Sequence, residues 1–345
     1  MRATDDRFSP DYTEARRRFR AATAHVPHGA LPVVDDLTID WAWFGPDDAD
    51  DVVVYTSGLH GVEGFGGGAA QLETIALETG RSATLYLHAL NPWGWANLRR
   101  VNEHNVDLNR NFFPDGGWSG ADPAYQKLDG LLNPPRPPGG FDTFWLQAGW
   151  AVATHGFGAL RSAVVCGQYD FPNGLFYGGP ALQTGAAAAL ELLVARLAGR
   201  RRVVHVDWHS ALGAYGARTL LLEGAVAPGE LARVRAAMGE DVRSWDPADP
   251  KGYLIRGGLT GALQARLPGV RYDGLTIEFG TLSNLAVLAR LRDENRLTHW
   301  GTPTLDHPAR QAMFEAFAPR EPRWQAAVLG HAREVHAACL RCLAS

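Results

Sequence analysis

A chain of 345 residues, 46% hydrophobic and 20% charged, has an ordinary globular composition with ample material for a core. Its net charge of −4, with basic residues scattered apart from short runs at 16–18 and 200–202, gives no electrostatic footprint for nucleic acid. Three cysteines, Cys166, Cys339 and Cys342, are too few for a disulfide scaffold and fit a reducing compartment.

The first residues, MRATDDRFSPDYTEARRRF, lack the apolar centre of a secretory signal. No stretch approaches the roughly 20 apolar residues of a membrane span. A soluble cytoplasmic protein is expected. Residues 11–25 read as a helix with Asp11 or Thr13 as N-cap. LTIDWAWFG alternates as a strand does, GPDDADD is a polar turn and VVVYTSG a second strand, so residues 37–57 read as a hairpin. AAQLETIALETG is a helix ending at Gly80, and ATLYLHALNP a buried strand running into a loop. LNPPRPPGGF, residues 132–141, reads as a long surface loop, and a strand is expected near 161–166. TGAAAALELLVARLAG is a strong helix; RVVHVDWHSALG, RTLLLEG and DGLTIEFGT are strands. Strands alternating with helices predict an α/β fold: one domain over residues 1–345, with a twisted mixed, largely parallel sheet flanked by helices and an excursion around 113–180.

In open α/β sheets, ligands collect beyond the carboxyl ends of the strands. One strand end carries His60 and Glu63, another leads into NPWGWANLRRVNEHNVDLNRNFFPD, a third ends at His209 and a fourth carries Glu278. Two imidazoles and a carboxylate with an open fourth position are the usual ligand set of a catalytic zinc, and a further carboxylate can move a proton. The spacing His-x-x-Glu also arises by chance. His331 and Glu334 repeat it in a helical pattern that reads as solvated surface, with His336 pointing elsewhere. The His60 copy differs in its glycines at 58, 61 and 64, which let the backbone turn sharply. By themselves these residues leave open a turn that contains a histidine or half of a metal site. His88 and His205 read as packed core residues, His104 has metal-like spacing to Asp107, and the Cys339/Cys342 pair reads as a chance spacing on a helix tail.

Taken in order, HGVE, NEHNVDLNRNF, WHSALGAYG, YLIRGGLT and IEFGT resemble the zinc carboxypeptidase superfamily. The series looks most like a bacterial branch of poorly defined substrate, related to aspartoacylase and succinylglutamate desuccinylase. The resemblance implies one Zn2+ per chain on His60, Glu63 and His209, with Asp107 orienting a zinc histidine. It implies Glu278 as general base, Arg100 as the group facing the oxyanion, and Asn109 and Arg110 as holders of the substrate's terminal carboxylate. Tyr253 would be a mobile tyrosine closing over substrate. Thr260 would lie near the base of the side-chain pocket, its neutrality arguing against a strict preference for basic residues.

The implied function is zinc-dependent hydrolysis of an amide next to a free carboxylate, by a metallocarboxypeptidase acting on peptides or small peptide-like substrates. An aspartoacylase-like N-acyl amino acid deacylase is the alternative within the superfamily. A non-catalytic carboxylate or peptide binder is the alternative from another class. A serine hydrolase through Ser57 or Ser210 lacks the G-x-S-x-G elbow. The expected partner is a small molecule or peptide bearing a free carboxylate, with no nucleic acid and no membrane; the oligomeric state is left open.

Overall fold

Val52, Val53, Val54 and Tyr55 have no exposed surface, the signature of a strand covered on both faces. They belong to the computed structural model, which describes residues 6–113, 119–139, 141–223, 226, 229–244 and 256–344. Eight strands make one sheet: β1 His28–Val34, β2 Leu37–Phe44, β3 Asp51–Ser57, β4 Ala83–His88, β5 Arg202–Ala211, β6 Arg218–Leu222, β7 Arg243–Ser244 and β8 Arg271–Gly280. Their order across it is β1-β2-β4-β3-β5-β8-β6-β7. The central four, β4, β3, β5 and β8, run parallel, and β2 and β6 join antiparallel on either side.

The described helices are α1 Tyr12–Thr23, α2 Gly64–Ile75, α3 Pro92–Ala96, α4 Pro123–Leu132, α5 Phe144–His155, α6 Phe157–Val165, α7 Thr184–Leu197, α8 Glu230–Met238, α9 Leu259–Arg266, α10 Asn284–Trp300, α11 Pro308–Phe317 and α12 Pro322–Ala344. None is long and apolar enough to cross a membrane. Side chains alternate across each strand, so β3 divides its apolar residues between two cores. Val53 and Tyr55 join Val204, Val206 and Trp208 of β5 and Leu275, Ile277 and Phe279 of β8 on one face. Val52, Val54 and Val203 lie on the other. That second face carries the alternate positions of β5 and β8, including His209 and Glu278, which are register partners.

Two local expectations are corrected. Residues 37–57 do not form a hairpin, because β4 lies between β2 and β3. An apolar run such as VVVY needs a neighbour on each edge and cover on each face, and β4 and β5 supply the edges. Residues 161–166 are not a strand: 157–165 form α6, which buries Val164 against Tyr125 and Leu132 of α4. A short apolar run has no periodicity to separate helix from strand, and packing decided it. The α2 helix also starts earlier than its pattern suggests, at Gly64. Gly67 lies against β5, where a Cβ would come within 3.1 Å of the Trp208 Cβ, so close helix–sheet packing outweighs poor helix propensity.

The Pro/Gly-rich stretch is strapped down. Arg292 of α10 donates to the Leu131 carbonyl at 2.7 Å and to Asp142 at 2.7 Å. Arg296, one turn on, donates to the carbonyls of Arg136 and Pro137 and to Asp142. Both arginines are buried. The helices α4, α5 and α6 are thereby held as a roof beside the carboxyl ends of β5 and β8.

Candidate metal centre

Beyond β3 the chain makes a single 3-10 turn, Gly61–Glu63, before α2 begins. The amides of Gly61 and Val62 donate to the carbonyls of Arg100 and Arg99, at 3.1 and 2.8 Å. A Cβ on Gly61 would lie 2.1 Å from the Gly94 backbone, so the approach requires glycine. This contact puts His60 and Glu63 on one turn and brings Arg100 against them. The adjacent strand β5 delivers His209.

His60 Nδ1 lies 2.9 Å from Glu63 Oε1. His209 Nδ1 lies 3.1 Å from Glu63 Oε2 and 3.1 Å from His60 Nδ1. The far nitrogens are committed elsewhere: His60 Nε2 to Asp107 at 3.1 Å and His209 Nε2 to Asp207 at 2.6 Å. All five side chains are buried. A neutral imidazole has one N–H. In the neutral rings that metal binding requires, both N–H groups are spent on carboxylates, so two Nδ1 lone pairs and a carboxylate face one another, all within 4.8 Å; without an ion, a proton shared between His209 and Glu63 takes its place. Three converging acceptors call for a cation. Carboxylates that fix the ring and tautomer are the usual support of metal-binding histidines, so the donor set fits a divalent ion of the zinc type.

The support is itself fully bonded. Asp107 also accepts from Arg100 Nε at 3.1 Å and from the Asn109 amide at 3.1 Å. Asp207 accepts from Thr56 at 2.6 Å, Thr56 pairs with His205 Nε2 at 2.8 Å, and His205 Nδ1 with Tyr272 at 2.6 Å. The Ser210 amide donates to Glu63 at 2.9 Å, and Arg100 Nη1 lies 3.0 Å from Glu63. Just past His209, Ala211 has φ +123°, a backbone conformation costly for a residue with a side chain and typical of functional sites.

Residues 8–331 match the sequence profile of the family DUF2817, described as a protein of unknown function. The chain belongs to this family. No curated protein matches it. Among solved structures, this DUF2817 chain is similar to a Shewanella amazonensis protein provisionally described as a metallopeptidase, at 15% identity over 89% of this chain and 92% of that one, with a TM-score of 0.45. It is similar to carboxypeptidase A of Helicoverpa armigera, at 14% over 92% and 71%, TM-score 0.46. It is also similar to thrombin activatable fibrinolysis inhibitor, at 12% over 97% and 80%, TM-score 0.47. The chemistry rests on the DUF2817 chain's own residues.

Electrostatics separates its two glutamates. Burial alone would raise the Glu63 carboxyl, but His60 and His209 outweigh it and hold the group well below the carboxylate range. Burial would lower His209, yet Asp207 and Glu63 hold it well above its ordinary value. Glu278 faces His209 across the β5–β8 register, and its carboxyl is pushed up to about 7 by burial and then by the negative Glu63. Its described hydrogen bond is a long one, from the Leu212 amide at 3.3 Å.

Arg100 and Glu278 line one cavity, together with Arg110. Arg110 is buried, and three of its five N–H groups reach the carbonyls of Val165 and Asn109, leaving two without a partner among the described residues. The Asn109 side chain accepts from the Leu259 amide at 3.4 Å. Thr260 lies apart from that cavity and donates to Glu223, which also accepts from Thr276 at 2.5 Å. The Glu223 carboxyl thus sits one hydrogen bond from Thr260. Tyr253 lies outside the described residues.

His104 is exposed and bonded to Gln183, away from the metal-like cluster, and His331 reaches a backbone carbonyl. Cys339 and Cys342 are buried on α12. Ser57 donates to Gln71, and among the described residues Ser210 Oγ has no partner, so neither serine is paired with a base. Sequence reasoning missed Asp207 and Glu223. For Asp207 a signal existed: His205, Asp207 and His209 alternate along one strand and share a face.

Proposed function

We propose that the protein is a metal-dependent hydrolase that cleaves an amide bond next to a free carboxylate, in the manner of zinc carboxypeptidases. One observation carries this reading: the Nδ1 atoms of His60 and His209 and the Glu63 carboxylate converge while each histidine's Nε2 is held by its own carboxylate. Bound there, a zinc ion would supply a water of lowered pKa and polarise a carbonyl.

The chain's residues would do the rest. Glu278, across from His209 and poised near neutrality, takes a proton from the attacking water and returns it to the leaving nitrogen. Among the described residues Arg100 has N–H groups beyond those on Asp107 and Glu63, and these would serve charge that develops on the carbonyl oxygen. The two remaining N–H groups of Arg110, with Asn109 beside it, suit a carboxylate. Anchoring that carboxylate fixes which amide reaches the centre.

A carboxypeptidase acting on peptides and a deacylase acting on N-acyl amino acids share this machinery. The roof of α4, α5 and α6 beside the site favours small substrates. The test is elemental analysis of untagged protein together with a panel of dipeptides and N-acyl amino acids. About one zinc per chain, lost in His60→Ala, with turnover of one substrate class, is the expected result. A protein that takes up no metal when zinc is supplied would overturn the catalytic reading.

A further inference from the structure

The cavity that reaches Glu278 and Arg100 is about 180 Å3. Its polar residues, Arg100, Arg110, Ser210, Glu278 and Asn284, are few; every other lining residue is apolar. The walls come from the roof and from α10: Leu132 of α4, Phe144 and Ala148 of α5, Val164 of α6, Leu285 and Leu288 of α10. Phe176 forms part of the inner wall and lies under both Arg100 and Arg110, 5.5 and 6.0 Å from ring centre to guanidinium carbon.

Such a space is a poor host for a polar chain. Peptide groups placed among these side chains would lose their water without gaining partners, which is unfavourable. An aliphatic or aromatic group gains by the same transfer. The chamber is also preformed: Arg292 and Arg296 pin the loop between α4 and α5 through backbone carbonyls and Asp142. An apolar cavity of roughly 150 Å3 holds a benzene molecule, so the apolar part of this one, beyond Arg100, Arg110 and Glu278, suits a ring of that size or a flexible chain of about six carbons or slightly more.

We propose that the chamber under α4, α5 and α6 binds the acyl part of the substrate, and that the centre hydrolyses N-acyl amino acids whose acyl group is a medium-length aliphatic chain or an aromatic ring. This rests on the hydrolase reading and gives it a substrate class. Water adds to the acyl carbonyl, the C–N bond breaks, the nitrogen takes the proton, and a carboxylic acid and a free amino acid leave. The amino acid's carboxylate is the group for Arg110.

The experiment uses zinc-loaded enzyme and alanine N-acylated with acetyl, butanoyl, hexanoyl, octanoyl and benzoyl groups. The expected kcat/KM climbs about fourfold per methylene up to hexanoyl or octanoyl. In Ala148→Phe, and independently in Leu288→Phe on the facing wall, the hexanoyl-to-acetyl ratio collapses towards one. A flat or falling series with measurable turnover overturns the chamber's role and leaves the hydrolase reading standing. If neither this series nor dipeptides turn over, the hydrolase reading falls and calorimetry judges the chamber. Binding of N-octanoyl-alanine at least 30-fold tighter than N-acetyl-alanine, lost in both variants, upholds the acyl site, and equal affinities overturn it.

Discussion

Around the ends of β3 and β5, His60, Glu63, Asp207 and His209, with Asp107 from the segment after α3, are each held by at least two polar contacts. In the roof beside them the opposite holds: Leu132, Phe144, Ala148 and Val164 contribute only apolar surface to the cavity they line. The cradle is over-determined, since each carboxylate fixes a ring and each ring fixes a tautomer, and such geometry is what a metal ion requires. The roof fixes a shape. On the proposed reading the cradle limits the chemistry and the roof limits the substrate, so changes in one should leave the other's signature intact.

The largest effect expected from a single change is at Glu278. Glu278→Gln should lower kcat by about 10²- to 10⁴-fold while zinc content stays near one per chain. If zinc is lost as well, Glu278 is part of the cradle rather than the base. Asp207→Asn comes next. Zinc affinity measured by competition with a chelator should weaken about 10- to 100-fold, and an unchanged affinity would show that Asp207 does not tune His209.

The pH dependence sharpens the same division. Glu278 must be ionised to act, so kcat/KM should rise with pH. A bound cation favours the ionised form, so with zinc present the midpoint should lie below the value of about 7 to which burial and Glu63 push the carboxyl. For stability without metal the sign is reversed. A carboxyl whose folded pKa is raised contributes stability that is fully present below its ordinary value of about 4.5 and is lost as pH rises through about 7. Glu63 and Asp107, both held low, contribute stability above the ordinary carboxylate range and lose it in acid. Melting temperature without zinc should therefore carry a falling component between about pH 4.5 and 7 that zinc abolishes; the same fall with and without zinc would remove Glu278 from the ion's vicinity.

The last contrast concerns packing, and its smaller member is the smallest effect expected. Leu85→Ala, in the fully buried core of β4, should cost about 2 to 5 kcal/mol in denaturant unfolding. Leu288→Ala, on a cavity wall that already lacks full contact, should cost less than about 1.5 kcal/mol. Equal losses would mean that the chamber is part of the core and not a binding space.

Much of the cradle was legible because its parts are short motifs at strand ends. His60, Glu63, His209 and Glu278 could be placed on one sheet edge because each follows or ends a strand, and the strands themselves from continuous apolar runs. Asp207 was not read, because a single aspartate inside VVHVDWHS takes its meaning from Thr56 on the neighbouring strand and from its own neighbour His209. Glu223 was missed for the same reason, with both its hydroxyl partners distant in sequence.

The sequence by itself determined the α/β class, the position of the central strands and the candidate residues of the cradle, because two-fold and helical periodicity and glycine-rich turns are local properties. Only the tertiary structure decided that β4 separates β2 from β3, that residues 157–165 are a helix, and that the roof leaves an apolar chamber beside Glu278. Those features depend on which surfaces meet across long stretches of chain. An apolar side chain carries the same local signal whether it fills a core or lines a cavity.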